Sequence, residues 1–513
     1  MRASDRTPLR RRNFVRLALA SGVLGIASAC GQQPAAETSG TPGARGTLRL
    51  AHTLEWAGKE VLGPASPARF FPAIALLYNR LVRVDEQGRP APDLATSWEA
   101  DASATRWTFR LRKGVSFHDG KPFTAADVLY TTRYVMNPAL ESPGAAVLDI
   151  IDVEQLQAPD DATVIFTLKQ PHADFPLLLL HYSMYIIPSD SGATIDTSGI
   201  GTGPFKLQQF NAEGTTIVVA NDAYWDGAPG LAAVEMVGIA DAEARTAALL
   251  ADQIDYNDIA PETAALVSQN ANYVLNALPS GAWLVMVMRT DQEPFTDPRV
   301  RLAMKLVVDR AAMVKTVLSG FGQPAGDHPV WPGDQYYLPI ERGADVPRAR
   351  QLLAEAGHAD GLTVTLYTSS IDSYMIPMCV AYQQMAAAAG ITVTLQQESA
   401  DGYWNDIWMQ VPFCCSSWGE RQADQVLNEV YRSGASWNET FWQNADFDGL
   451  LDQARRELDF ERRKGLYQQA QQLLADDGGA IIPFFTNDLS AAHRRVKGVD
   501  RRYFDWARVT IEA

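Results

Sequence analysis

Apolar and polar side chains alternate from residue 107 to 112, with Trp107, Phe109 and Leu111 set against Thr108, Arg110 and Arg112. A period of two puts every second side chain on one face, so this stretch reads as a half-buried strand. Val115 and Phe117 extend the pattern past Gly114. His118-Asp119-Gly120 is turn chemistry, because glycine takes positive φ without steric cost. Thr124 and Asp127 then stand three apart, the spacing of a helix cap and an acid at the dipole-favoured end. Alternation also predicts strands over 46–51 and 164–168, and the unbroken apolar run 283–288 predicts a fully buried strand. Residues 73–85 read as a helix running into a strand, and 175–180 as a short apolar helix. An Ala-rich helix follows at 242–251. In 345–357, Ala349, Leu352, Leu353 and Ala356 share one face, and Gly357 is the stop. Further on, helices at 374–389, 401–409 and twice within 445–477 alternate with short strands at 362–367, 391–395, 412–416 and 481–485. Such alternation predicts an α/β protein with a mainly parallel sheet covered on both faces.

Several of these stretches carry a longer pattern. Leu94-Ala95 with Ser97-Trp98, Trp107-Thr108-Phe109, Phe117-His118-Asp119-Gly120 and Thr124-Ala125-Ala126-Asp127-Val128 stand at spacings that resemble the signature of the family 5 extracellular solute-binding proteins. These are the dipeptide-, oligopeptide- and nickel-binding receptors of bacterial ABC importers. The run from Pro294 to Arg301, then Leu302, Ala303, Leu306 and Val307 at helical spacing, then Asp309-Arg310, resembles a second family signature. Gln253-Ile254-Asp255-Tyr256 resembles the family's G-x-x-D return. Gly199-Ile200-Gly201-Thr202-Gly203-Pro204 looks superficially like a nucleotide loop, but no strand leads in and no helix leads out, so it is assigned as a structural turn.

The resemblance implies a two-lobed periplasmic-binding-protein (Venus-flytrap) fold of the class with an extra subdomain in the first lobe. Lobe I would span 46–286 plus 484–513, with the subdomain at about 70–200, and lobe II would span 287–483. The chain would cross between lobes near Met286 and again near Pro483. It implies a monomeric receptor that captures a peptide or peptide-like solute and hands it to ABC permease subunits. A nickel chelate and an anionic non-peptide solute, such as an opine-like acid or a sugar phosphate, are the alternatives; an exported enzyme is a further one.

Charge and composition narrow the partners. The 513 residues are 47% hydrophobic and 20% charged, enough for two or three cored domains. Net charge is −16, and loss of residues 1–29, which hold six Arg and one Asp, would take it to −21, so no nucleic-acid partner is expected. Residues 1–30 form an export segment: Arg10, Arg11 and Arg12 precede thirteen small or apolar residues from Leu17 to Ala29, too few to span a bilayer comfortably. Arg11-Arg12-Asn13-Phe14-Val15-Arg16 looks like a twin-arginine signal, with an ordinary secretory leader as the alternative. Ala27-Ser28-Ala29-Cys30 resembles a lipoprotein box, with Ala27 in place of the usual Leu, which makes Cys30 the candidate lipidation site. Residues 31–46, rich in Gly, Pro, Ser, Thr and Ala, would then be a flexible tether at the outer face of the membrane.

The candidate site lies in the chain after residue 412. A strand at 412–416 runs into Trp418-Gly419-Glu420-Arg421-Gln422-Ala423-Asp424. Ligands of open α/β sheets bind at the carboxyl ends of strands, so this loop is well placed. In the peptide-binding relatives the matching loop carries an Asp that takes the ligand's ammonium. Arg421 stands in that place, and a guanidinium favours a carboxylate or phosphate. The alternative is that Arg421 pairs with a neighbouring acid. Asp424 could take an ammonium one register further on. Trp437 and Asn438, in a polar stretch dense in aromatics, are candidates for a cleft wall, as is Trp56 in the loop after the first strand, which borders the cleft in the family. Adjacent Cys414 and Cys415 read as strand residues, one per face. Seven scattered His, no Cys-x-x-Cys and none of the common catalytic motifs leave no metal, cofactor or catalytic residue to assign.

Overall fold

Trp107, Phe109 and Leu111 bury one face of strand Arg106–Leu111, as the alternation requires. The computed structural model describes residues 45–53, 62–66, 71–85, 88–211 and 213–512; the leader, Cys30, most of the tether and Trp56 lie outside them. Arg106–Leu111 sits between strands Ala95–Ala100 and Thr163–Thr167 in a four-stranded antiparallel sheet completed by Gln157–Asp160. Phe109, Phe166 and Phe175 meet in its core with ring centroids 5.2 to 6.2 Å apart. Helix Ala125–Val135 is capped as expected: Asp127 Oδ2 accepts the Thr124 backbone N–H at 2.8 Å. Its Oδ1 accepts the Ser189 N–H at 2.8 Å, so the cap also pins a distant segment. This sheet and its helix share one core within the 70–200 stretch expected to form the extra subdomain.

The glycine-rich turn at 199–204 joins the subdomain to the rest. A Cβ on Gly201 would stand 2.1 Å from the Leu77 carbonyl oxygen, and one on Gly203 2.5 Å from the Leu77 carbonyl carbon. His118 closes the same joint from the other side. Its Nδ1 accepts the Gly201 N–H at 3.2 Å, and its Nε2 lies 3.0 Å from the Gly203 carbonyl. Burial pushes the His118 imidazole down to about 4, so it stays neutral. The glycines serve close backbone contact, not phosphate binding.

The main sheet has twelve strands, and its spine runs from Ile391–Glu398 at one edge to Phe205–Gln209 at the other. It is mixed, where the alternation of elements predicted mainly parallel. Parallel pairing is confined to Leu362–Ser369 with its neighbours Ile391–Glu398 and Phe413–Trp418, and to Thr47–His52 with Ala233–Gly238 and Tyr256–Asp258. The remaining pairs are antiparallel, because the strands at 205–238 return directly and the two crossing strands run against each other.

The chief crossing strand is Tyr273–Met288, sixteen residues long. Residues 273–279 pair with Phe484–His493, while residues 283–288 pair with Phe413–Trp418. The register breaks between Pro279 and Trp283. Beyond that break the side chains bury on both faces. Leu284, Met286 and Met288 join the core under helices Pro298–Leu306, Val346–Glu355 and Met375–Ala387. Trp283, Val285 and Val287 join the core of helices Ala445–Arg456 and Phe460–Asp477. A strand covered on both sides has no polar positions, which is the origin of the apolar run. Asp297 and Asp345 cap their helices, accepting the Arg299 and Arg348 N–H groups. The helix expected over 401–409 is shorter, Tyr403–Asp406, because Gly402 enters it from φ 83° and Met409 turns the chain out at φ 60°.

Candidate functional site

Strand Phe413–Trp418 has Cys414 on one face and Cys415 on the other, each buried in a different core. At its carboxyl end Trp418 emerges half-buried into a row of indoles. It stacks on Trp283 with centroids 6.0 Å apart and planes 13° from parallel. Trp408 meets it edge-on at 6.1 Å, Trp437 lies tilted against it at 5.9 Å, and Trp404 extends the row beyond Trp408 at 6.0 Å. Trp404 and Trp437 are exposed at 38% and 45%, so the row has a solvent-facing side. Its buried side is fixed by Glu439. One carboxylate oxygen accepts the Trp408 indole N–H at 2.6 Å and the other the Trp418 indole N–H at 3.0 Å. Burial pushes the Glu439 carboxyl up to about 7, against the opposing pull of those two donors.

Arg421 lies over this row. Its guanidinium carbon is 4.9 Å from the Trp418 ring centre and 5.8 Å from that of Trp437. Nε donates to Glu429 at 3.3 Å and Nη1 to the Gly419 carbonyl at 3.1 Å. Nη2 makes no hydrogen bond to protein among the described residues, and 22% of the side chain is exposed. The guanidinium is therefore braced by one long ion pair and two aromatic faces, with donor capacity left over.

The other candidates fall away from the row or behind it. Asn438 is buried and staples its own loop, donating to the Arg432 and Trp442 carbonyls at 3.2 and 2.7 Å and accepting from Thr440 at 2.9 Å. Asp424 is buried with both oxygens engaged. Arg455 binds it in bidentate fashion at 2.8 Å, Tyr467 donates at 2.8 Å and His172 lies at 3.0 Å. Burial alone would raise the Asp424 carboxyl, but Arg455 and His172 outweigh it and hold it well below the usual range. No oxygen of Asp424 is left for a ligand ammonium. Trp56 is outside the described residues. The structure thus brings together Trp418, Arg421 and Trp437, and adds Trp404, Trp408 and Glu439. The i, i+4 spacing of Trp404 and Trp408 was visible in the sequence; the role of Glu439 was not, because nothing local links it to two indoles.

Two cavities bear on the loop after Trp418: Arg502, which lines the first, pairs with Glu420, which lines the second. One of about 400 Å³ is bounded by Tyr256, Asp258, Asp488 and Ser490 on the first half and by Tyr374 on the second. The other, about 200 Å³, lies between the subdomain and residues 420–425. Glu420 spans the two halves, accepting the Gly281 N–H at 2.8 Å and the Tyr503 hydroxyl at 2.9 Å. Among the described residues no group of three or more His, Cys, Asp or Glu could hold a metal ion, and no helix is long and apolar enough to cross a membrane.

A mixed sheet shared by two halves, a cleft between them and an aromatic strand-end loop at its edge define a two-lobed solute-binding protein. The chain belongs to the bacterial extracellular solute-binding proteins, family 5, whose model matches residues 89–438. It is 29% identical over 447 residues to the glutathione-binding protein GsiB of Shigella boydii serotype 4, covering 82% of this chain and 85% of that protein. Among solved structures it is similar to the periplasmic binding protein DppA from Helicobacter pylori in complex with the peptide STSA, at 25% identity and a TM-score of 0.71 over 91% of this chain and 98% of that one. It is also similar to AgaA from A. tumefaciens R10 in complex with agropinic acid, at 25% identity and a TM-score of 0.70 over 91% and 99% of the two chains.

Proposed function

We propose that this protein is the receptor of a bacterial ABC importer, closing two lobes on a peptide or peptide-like solute whose anionic group is held by Arg421. The observation that carries the reading is Arg421 itself, braced on Trp418 at the carboxyl end of a cleft strand with Nη2 uncommitted. A planar guanidinium binds a carboxylate through two parallel N–H bonds, which an ammonium-binding Asp cannot do. The relatives that bind glutathione and the peptide STSA support the peptide-like class. A second reading, a non-peptide opine-like acid, is favoured by the likeness to the agropinic acid complex. Both place an anion at the same group.

The lobes we propose follow the sequence division, with the first crossover at the register break between Pro279 and Trp283, just ahead of Met286. The receptor is non-catalytic and anchored through Cys30; replacing Cys30 with Ser would then release it from the membrane fraction, and an unchanged distribution would count against the anchor.

Mass spectrometry of the solute released from the purified protein on denaturation separates the two readings, since a peptide fragments at successive amides. Calorimetry with that solute then tests Arg421. Arg421→Ala is expected to lose about 2–5 kcal/mol, and Arg421→Lys to recover only part, because lysine lacks the planar fork. Wild-type affinity in Arg421→Ala would remove the anion clamp.

A further inference from the structure

The smaller of the two cavities has an apolar wall and a rim of mixed polar and charged groups. Val147, Leu177, Leu178 and Leu180 of the subdomain form the wall; His181 and Arg421 stand at the rim. Its volume is about 200 Å³. The walls are bolted together by buried bonds. The Ala173 N–H donates to the Arg455 carbonyl at 2.7 Å, and His172 meets Asp424 at 3.0 Å. Asp174 accepts the Tyr336 hydroxyl at 2.7 Å and pairs with Arg463 at 3.2 Å. These bonds hold the two sides of the pocket together in the arrangement seen here. The acids that border it are already engaged: Glu420 by Gly281, Tyr503 and Arg502, Asp424 by Arg455, Asp174 by Arg463. The uncommitted Nη2 of Arg421 leaves the rim able to take an anion.

A guanidinium with a spare donor beside an apolar pocket matches one chemical group, a carboxylate whose neighbouring carbon carries an apolar side chain. We infer that this pocket, given the anion-binding reading of Arg421, selects the side chain next to the ligand's carboxylate. The receptor takes peptides carboxyl end first and prefers a branched or aromatic apolar residue at that end. Filling a dry apolar pocket discriminates by roughly tenfold or more for each missing branch.

The test is calorimetry of the full-length receptor with Ala-Ala-Leu, Ala-Ala-Phe, Ala-Ala-Ala, Ala-Ala-Lys and the amide of Ala-Ala-Leu. Ala-Ala-Leu and Ala-Ala-Phe are expected to bind at least about tenfold tighter than Ala-Ala-Ala or Ala-Ala-Lys, and the amide far more weakly than the acid. Leu178→Gln, shown by its melting curve to be folded, is expected to abolish the preference for Leu over Ala. Equal affinity across the carboxyl-terminal series, or an amide as good as the acid, overturns the pocket assignment and leaves the peptide receptor standing. Absence of binding by all five peptides overturns both.

Discussion

Glu439 works by accepting hydrogen bonds from Trp408 and Trp418, yet it is fully buried and burial pushes its carboxyl up to about 7. The sign of the consequence follows. A carboxyl raised above its ordinary 4.5 stabilises the fold fully below that value, and the contribution is lost as pH rises through about 7. The His118 and His328 imidazoles, pushed down to about 4 by burial, act in the opposite sense and cost stability as pH falls below their ordinary value. The clean measurement is therefore the difference between wild type and Glu439→Gln. The variant should gain on wild type by on the order of 3 kcal/mol between pH 5 and pH 8 in denaturant unfolding. A difference that stays constant with pH would show that Glu439 does not titrate in this range. Trp418 and Arg421 could be found from the sequence because strand, loop and charge are local there. Glu439 could not, because its partners lie 21 and 31 residues away.

At the scale of the element, two glycines show why the same residue can serve different ends. Gly114 has φ 76° with nothing within 4 Å of a Cβ, so its need is conformational alone. Gly203 is needed for space, because a Cβ there would meet the Leu77 backbone at 2.5 Å. Gly114→Ala is expected to cost about 1 kcal/mol, from backbone strain only. Gly203→Ala should cost about 3 kcal/mol or more, since two backbone segments must part and His118 loses its seat. Thermal unfolding of the two variants checks the ranking, and equal losses would mean the Leu77 joint is pliable. The turn at 199–204 was legible as a turn; what it packs against was not, since Leu77 is more than a hundred residues earlier.

For the whole molecule, the strand Tyr273–Met288 changes partners midway and so belongs to both of the proposed lobes. Strand Phe484–His493 runs beside its first half, so the two proposed crossings are neighbours, as a compact hinge requires. The buried bonds from residues 172–174 to Asp424, Arg455 and Arg463 make a third attachment, between the subdomain and the proposed second lobe. Closure then has a defined pivot and not free rotation. A saturating solute is expected to shift the population to a more compact state, seen as a smaller radius of gyration in solution scattering. No change at saturation would mean that the lobes are locked at this third attachment.

The α/β class, the positions of most elements, the two family signatures and the place of the Trp418 loop were in the sequence, because each depends on spacing within a few residues. Periodicity reports which side chains face a core, and cap and turn residues act on backbone next to them. Three things were settled by tertiary structure. Sheet direction depends on how distant strands return, so the predicted parallel sheet is mixed. The fate of Asp424 was decided by Arg455 and His172, which arrive from 31 residues on and 252 residues back and leave it no free oxygen. And the setting of Arg421, open on one side and braced by indoles on the other, exists only where the subdomain, the loop at 420–425 and Trp437 converge. Local chemistry names the residues able to bind; burial and distant partners determine which of them are left with a hydrogen bond to offer.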